Sequence, residues 1–146
     1  ASTEVRRIAY NLMPIALSRL GLQAAIEDML VKIQQKEKIN TRSQFTGITD
    51  RFEESKEVMI YRIVQELVNN VIKHAEAKNL FVQINRHDSD ILITVEDDGI
   101  GFDMKEFENF QGVGLKSVAS RVKFLGGSMD VLSNEKGSSF NIHVSV

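Results

Sequence analysis

EVMIYRIVQELVNNVIKHAEAKNLFVQINRHDSDILITVEDDGIGF, residues 57–102, changes its hydrophobic period once and then ends in a glycine-rich acidic turn. From Glu57 to about Ala75 the apolar residues Ile60, Ile63, Val64, Leu67, Val68 and Val71 recur at three and four, which predicts one long helix packed on a core. The period then drops to two. Leu80 to Asn85 and Ile91 to Glu96 alternate apolar and polar residues around the polar turn Arg86 to Asp90, the pattern of a β-hairpin with one covered face. A helix followed directly by an antiparallel pair points to an α+β domain with helices laid on a sheet.

Working outward, Val113 to Leu125 reads as a helix that stops at Gly126-Gly127, where glycine tolerates the left-handed conformation. Ser128 to Leu132 and Phe140 to Val146 follow as strands, the last with Phe140, Ile142, Val144 and Val146 on one face. Toward the N-terminus, Thr41 to Thr49 reads as a strand with a turn at Gly47. Leu22 to Lys36 reads as a helix buried through Leu22, Ala25, Ile26, Met29, Leu30 and Ile33. A first helix over Glu4 to Leu12 stops near Pro14. The expected fold is therefore an α/β sandwich: a mostly antiparallel, mixed sheet of about five strands, covered on one face by about three helices and preceded by an N-terminal helix.

Composition narrows the function classes. The chain has 146 residues, 42% hydrophobic and 26% charged, enough for one globular core. It has no cysteine, which excludes disulfides and thiolate zinc sites, and His74, His87 and His143 are too scattered to ligate a metal together. Any metal should be a hard cation. A formal net charge of −2 argues against nucleic acid as a partner, and no apolar run reaches the ~18 residues of a membrane span. A cytoplasmic domain is expected. Because the chain opens on Ala1 inside an amphipathic segment, it is expected to be a piece of a longer protein.

The polar residues of the long helix are unevenly placed. Glu66, Asn70, Lys73 and His74 line one stripe at the border of the apolar face, whereas Arg62, Gln65, Asn69 and Glu76 lie opposite the core and already suffice as a solvated face. At the end of the second hairpin strand, Asp97, Gly99 and Gly101 form D-x-G-x-G, with Phe102 after it. A carboxylate at a strand end can accept a hydrogen bond from an exocyclic amine, and glycines let backbone approach a flat base. Gly112, Val113, Gly114 and Leu115 put G-x-G at a helix start, where free backbone N–H groups and the positive dipole end favour phosphate. Ser138, in Gly137 to Phe140, can reach a water or a base nitrogen. Each motif alone also describes an ordinary turn or helix start. No G-x-x-x-x-G-K-S/T loop is present, so phosphate would be held without a Walker site.

The ordered set is specific: E-L-V-N-N-V-I-K-H at 66–74, D-D-G-I-G-F at 97–102, G-V-G-L at 112–115 and G-S-S-F at 137–140. It resembles the N, G1, G2 and final glycine boxes of the GHKL ATPases of Bergerat fold, which include gyrase, the heat-shock chaperone ATPase, histidine kinases and MutL. The K-H after the second Asn is most similar to sensor histidine kinases, from about Arg51 onward. Glu4-Val5-Arg6-Arg7, Met13-Pro14 and Leu20-Gly21-Leu22 resemble the subfamily whose response regulators carry helix-turn-helix domains.

The resemblance implies that ATP and Mg²⁺ are the cofactors, with Asn70 on Mg²⁺, Lys73 and His74 at phosphate, and Asp97 taking the adenine amine. It implies that Gly99, Gly101 and Phe102 bound the base, that Gly112, Val113, Gly114 and Leu115 flank the triphosphate, and that Ser138 stands where threonine is commoner. Asp103 to Gln111 would be a short lid, with Phe107 and Phe110 able to fold over nucleotide. Glu66 and Lys73 would be the catalytic residues. Glu66 stands where many kinases have Asn, and it is a familiar variant in this subfamily.

The implied division is residues 1–21 as the end of a dimerisation helix and connector, and 22–146 as the catalytic domain. The implied partners are a dimerisation domain bearing the phospho-acceptor histidine and a response regulator, with a homodimeric parent anchored to the membrane through a segment outside this chain. His74, His87 and His143 are not placed as acceptors, so the chain alone should not autophosphorylate. Competing readings are a stand-alone anti-sigma-type serine kinase, a degenerate interaction module that binds no nucleotide, and a hydrolytic ATPase clamp.

Overall fold

The computed structural model describes residues 14–48, 50–101 and 113–146, with 113 and 114 described by backbone alone. The helix expected over Glu4–Leu12, the lid Asp103–Gln111, Phe102 and Gly112 lie outside the described residues. The elements run α1 (Ile15–Leu20), α2 (Leu22–Glu37), β1 (Asn40–Thr46), α3 (Glu54–His74), β2 (Asn79–His87), β3 (Asp90–Asp97), α4 (Val113–Phe124), β4 (Ser128–Asn134) and β5 (Gly137–Ser145).

The strands form one five-stranded sheet in the order β1-β2-β3-β5-β4. β1 and β2 pair in parallel and the other neighbours antiparallel. A parallel pair needs a crossover, and α3 supplies it. Because strand side chains alternate, Leu80, Val82, Ile84, Ile91, Ile93, Val95, Phe140, Ile142 and Val144 all enter one core, which the helices cover. The other face carries Gln83, Thr94, Glu96, Asn141 and His143. The apolar stripe of α3 is buried throughout, and α2 buries Leu22, Ala25, Ile26 and Leu30 with Met29 and Ile33 packed beside them. The expected α+β sandwich is the observed one.

The differences are local. The hairpin extends to His87 and Asp90, which are register partners, and closes through Asp88 at φ 54 followed by Ser89. A two-residue turn with positive φ matches the strand twist, so the ladder zips further than the alternation suggested. β5 begins at Gly137 rather than Phe140, because Ser138 and Ser139 find partners in Asp97 and Glu96. Backbone pairing outlasts hydrophobic alternation there. The long helix stops at His74, so Glu76, expected on its solvated face, lies beyond it at φ 50. Arg62 and Gln65 are half-buried, with Arg62 Nη1 donating to Gln65 Oε1 at 3.1 Å.

α1 was not among the expected helices. Pro14, in extended conformation at φ −61 and ψ 147, starts it by accepting the Ser18 N–H at 3.2 Å. A proline cannot continue a helix but can stand at its entrance. Six residues do not hold a helix unaided, and this one is held by its fully buried Leu17.

Candidate functional site

β3 and β5 build the floor. Asp97 ends β3 and is the register partner of Ser138 at the start of β5. Ser138 Oγ donates to Asp97 Oδ2, and the Gly99 backbone N–H donates to Asp97 Oδ1 at 2.8 Å. Each carboxylate oxygen therefore has one fixed donor and retains lone pairs for another. Ser138 is 8% exposed, which makes this pair a fixture of the fold rather than a surface contact.

The acidic glycine turn is fastened to both neighbours. Ile100 N–H donates to the Ala75 carbonyl at 2.8 Å, directly after the last residue of α3. A Cβ on Gly99 would lie 2.0 Å from that carbonyl oxygen, and one on Gly101, at φ 71, would lie 1.9 Å from the Asn134 carbonyl oxygen. The sequence suggested these glycines let a base approach. In the structure their missing Cβ atoms admit protein backbone instead, which brings the turn against α3 and against the β4–β5 connection.

Asp98, to which the sequence reading assigned no role, is the third fastening. Its Oδ1 accepts the N–H groups of Lys78 at 2.9 Å and Asn79 at 2.8 Å, and its Oδ2 accepts Asn79 Nδ2 at 2.7 Å. The Asn79 side-chain bond, with the backbone N–H donors behind it, holds the Asp98 carboxyl below its ordinary range. Nothing local in sequence announces this, since the partners lie about twenty residues upstream.

The walls come from α3 and α4, which pack side by side. Asn70 and Glu66 are half-buried, roughly one and a half and two and a half turns before the Ala75 contact, about 7.5 and 13.5 Å along the axis. Lys73 and His74 are exposed in the last turn. Val113 and Gly114 of the G-x-G motif begin α4. The Leu115 side chain is buried in the core, and what it can offer a ligand is its backbone N–H in the first turn. Phe102 and Gly112 fall outside the described residues. The structure thus joins the end of β3, the start of β5 and the C-terminal half of α3.

A depression of about 180 Å³ lies at the β1–β2 edge, lined by Asn40, Arg42, Asn79, Leu80, Phe81, Glu96, Asp97 and Asp98. Of the predicted site residues it touches Asp97 alone. No helix among the described residues is long and apolar enough to cross a membrane.

Residues 55–146 match the model of the histidine kinase-, DNA gyrase B- and HSP90-like ATPases. The chain is 33% identical over 140 residues to the sensor histidine kinase MctS of Rhizobium johnstonii, covering 94% of this chain and 30% of that protein. It therefore spans less than a third of that relative's length. In fold it is similar to the histidine kinase domain of the blue-light activated kinase of Erythrobacter litoralis EL346, with a TM-score of 0.72 at 21% identity, over 84% of this chain and 64% of that one. It is similar also to full-length ShkA in complex with AMPPNP, with a TM-score of 0.67 at 18% identity, over 85% of this chain and 29% of that one. With the ordered boxes and the mixed sheet in place, the chain belongs to the histidine kinase-, DNA gyrase B- and HSP90-like ATPase family, as an ATP-binding domain of the histidine kinase kind.

Proposed function

We propose that this chain presents Mg-ATP for transfer of its γ-phosphoryl group to a histidine on a dimerisation domain, for relay to a response regulator. The observation that carries the reading is the Asp97 carboxylate, oriented by the Gly99 N–H and the Ser138 hydroxyl, beside the last turns of α3. ShkA, similar in fold, was solved with an ATP analogue.

The residues fit this role by their chemistry. Asp97 accepts the adenine amine on a lone pair that its fixed donors leave open. Asn70 offers a neutral amide oxygen to Mg²⁺. A Mg²⁺ held by Asn70 would take most of its other ligands from phosphate and water, as Mg²⁺ commonly does. Lys73 places a positive charge, and His74 a ring N–H donor, at the exit of α3, and the first turn of α4 adds backbone N–H groups from Val113 to Leu115. Glu66, half-buried one turn before Asn70, is with Lys73 the catalytic candidate of the site. The nucleotide supplies the phosphoryl group; the protein's share is placement and charge.

The proposal extends to the whole protein. Residues 1–21 connect to dimerisation helices, residues 22–146 are the catalytic domain, and the parent is a homodimer with this domain in the cytoplasm. The partner regulator carries a helix-turn-helix output domain. None of the chain's own histidines is the acceptor.

The test is calorimetric titration of the chain with ADP and a non-hydrolysable ATP analogue, with and without Mg²⁺. Magnesium-assisted binding that Asp97→Asn abolishes is the expected result. Absence of binding by the intact chain makes it a degenerate interaction module, and stoichiometric phosphohistidine on this chain alone contradicts the missing acceptor.

A further inference from the structure

Arg51 ties together three segments outside the nucleotide site. Its Nε donates to both carboxylate oxygens of Glu57, at 3.1 and 3.0 Å, and its Nη2 donates to Glu57 Oε1 at 2.8 Å. The same guanidinium reaches back to the end of α1, with Nη2 on the Leu17 carbonyl at 3.2 Å and Nη1 on the Ser18 carbonyl at 3.3 Å.

Each contact has a physical reason. Glu57 is 1% exposed, in the first turn of α3. A carboxylate so buried needs a paired cation, and the bond to Glu57 in turn raises the Arg51 pKa, so the guanidinium stays charged. The Leu17 and Ser18 carbonyls belong to the last turn of α1, at the negative end of the helix dipole, and the Leu17 oxygen also accepts the Gly21 N–H at 3.1 Å. Gly21 sits between α1 and α2 at φ 95, and a Cβ there would lie 3.0 Å from Arg51 Cδ. The glycine of Leu20-Gly21-Leu22 makes the turn and leaves room for the arginine stem.

α1 is otherwise held by Leu17 and by the partly buried Ala16, which packs on the core. Leu17 is its buried side chain, while Ile15 and Leu20 are 72% and 71% exposed. α3, by contrast, is one continuous helix from Glu54 to His74, so Glu57 is rigidly joined to Asn70. We propose that Arg51 is a positioning residue that fixes connector α1 to helix α3, so that the segment arriving through α1 and the nucleotide site keep one relative orientation. The consequence for phosphoryl transfer rests on the kinase reading above; the clamp itself does not.

Two measurements test it. On this chain, Arg51→Met should speed hydrogen exchange at the amides of residues 18–21 by at least about tenfold, leave β3 and β5 protected, and leave adenine-nucleotide affinity within about threefold. In the full-length protein, the same change should lower kcat for autophosphorylation at least about tenfold with KM for ATP within about twofold, and Arg51→Lys should restore part of it. Glu57→Gln, which keeps the shape and removes the charge, should act in the same direction and serves if Arg51→Met does not fold. Unchanged exchange in α1, loss of protection across β3 and β5 in step with α1, or unchanged kcat overturns the proposal. A wild-type full-length protein without autophosphorylation rejects the kinase reading, and the exchange result then decides the clamp by itself.

Discussion

Ser138 and Asp97 face each other across the β3–β5 ladder, and the serine hydroxyl donates to the aspartate oxygen that the Gly99 N–H leaves open. The carboxylate is thereby aimed before any ligand arrives. A hydrogen bond to an ionised group is worth about 1.5–3 kcal/mol, or roughly tenfold to a hundredfold in affinity. Asp97→Asn should weaken ADP binding by that factor or more, since the amide presents a donor where an acceptor is needed. Ser138→Ala should cost less, roughly threefold to tenfold, and Ser138→Thr should be near neutral because the hydroxyl is kept. Calorimetric titration of the three variants checks the order.

Gly99 and Gly126 should respond differently to alanine. At Gly99 the new Cβ would meet the Ala75 carbonyl at 2.0 Å, whereas at Gly126 nothing lies within 4 Å and only a φ of 69 opposes the change. Gly126→Ala should cost about 1 kcal/mol of stability and spare nucleotide binding. Gly99→Ala must push the acidic turn off α3, and should lower the melting temperature further and abolish binding. Thermal unfolding with and without ADP separates the two.

The Asp98 clip predicts a pH signature. Its carboxyl is held below the ordinary value in the folded state, chiefly by Asn79, so it contributes stability above the unfolded pKa near 4 and loses it as pH falls through the lower folded value. Asp98→Ala should therefore be less stable than wild type at pH 6, with the gap in melting temperature narrowing as the pH falls below about 4. The group is exposed, so the gap should be modest. A gap that persists unchanged at low pH would assign the loss to packing.

Asn70 should govern magnesium and not adenine. Removing Mg²⁺ with a chelator should weaken binding of the ATP analogue by about tenfold or more in wild type and change little in Asn70→Ala. Affinity for adenosine, which has no phosphate to share with the metal, should be the same in both. A magnesium effect that survives in Asn70→Ala places the cation elsewhere.

Much of the fold was legible because the burial pattern of each element is local. The stripe Ile60 to Val71, the alternation of β2 and β3, and the face of α2 all entered the core as their spacing required. The ordered boxes also named Asp97 and Ser138, and the structure makes them register partners. What stayed hidden was long-range. Glu57 falls at the same three- and four-residue spacing before Ile60, Tyr61 and Val64, so a buried charge was signalled, but its partner was not. α1 has no periodic signature, and the role of Asp98 depends on N–H groups about twenty residues away.

The sequence by itself therefore determined the described elements other than α1, the covered face of the sheet and the family, since hydrophobic period and motif order are properties of neighbouring residues. The tertiary structure alone decided why the glycines of the acidic turn are glycines, which donors aim Asp97, and how Arg51 joins α1 to α3. These depend on groups brought together from distant positions, where a carbonyl 2.0 Å from an absent Cβ or a cation beside a buried carboxylate sets the outcome.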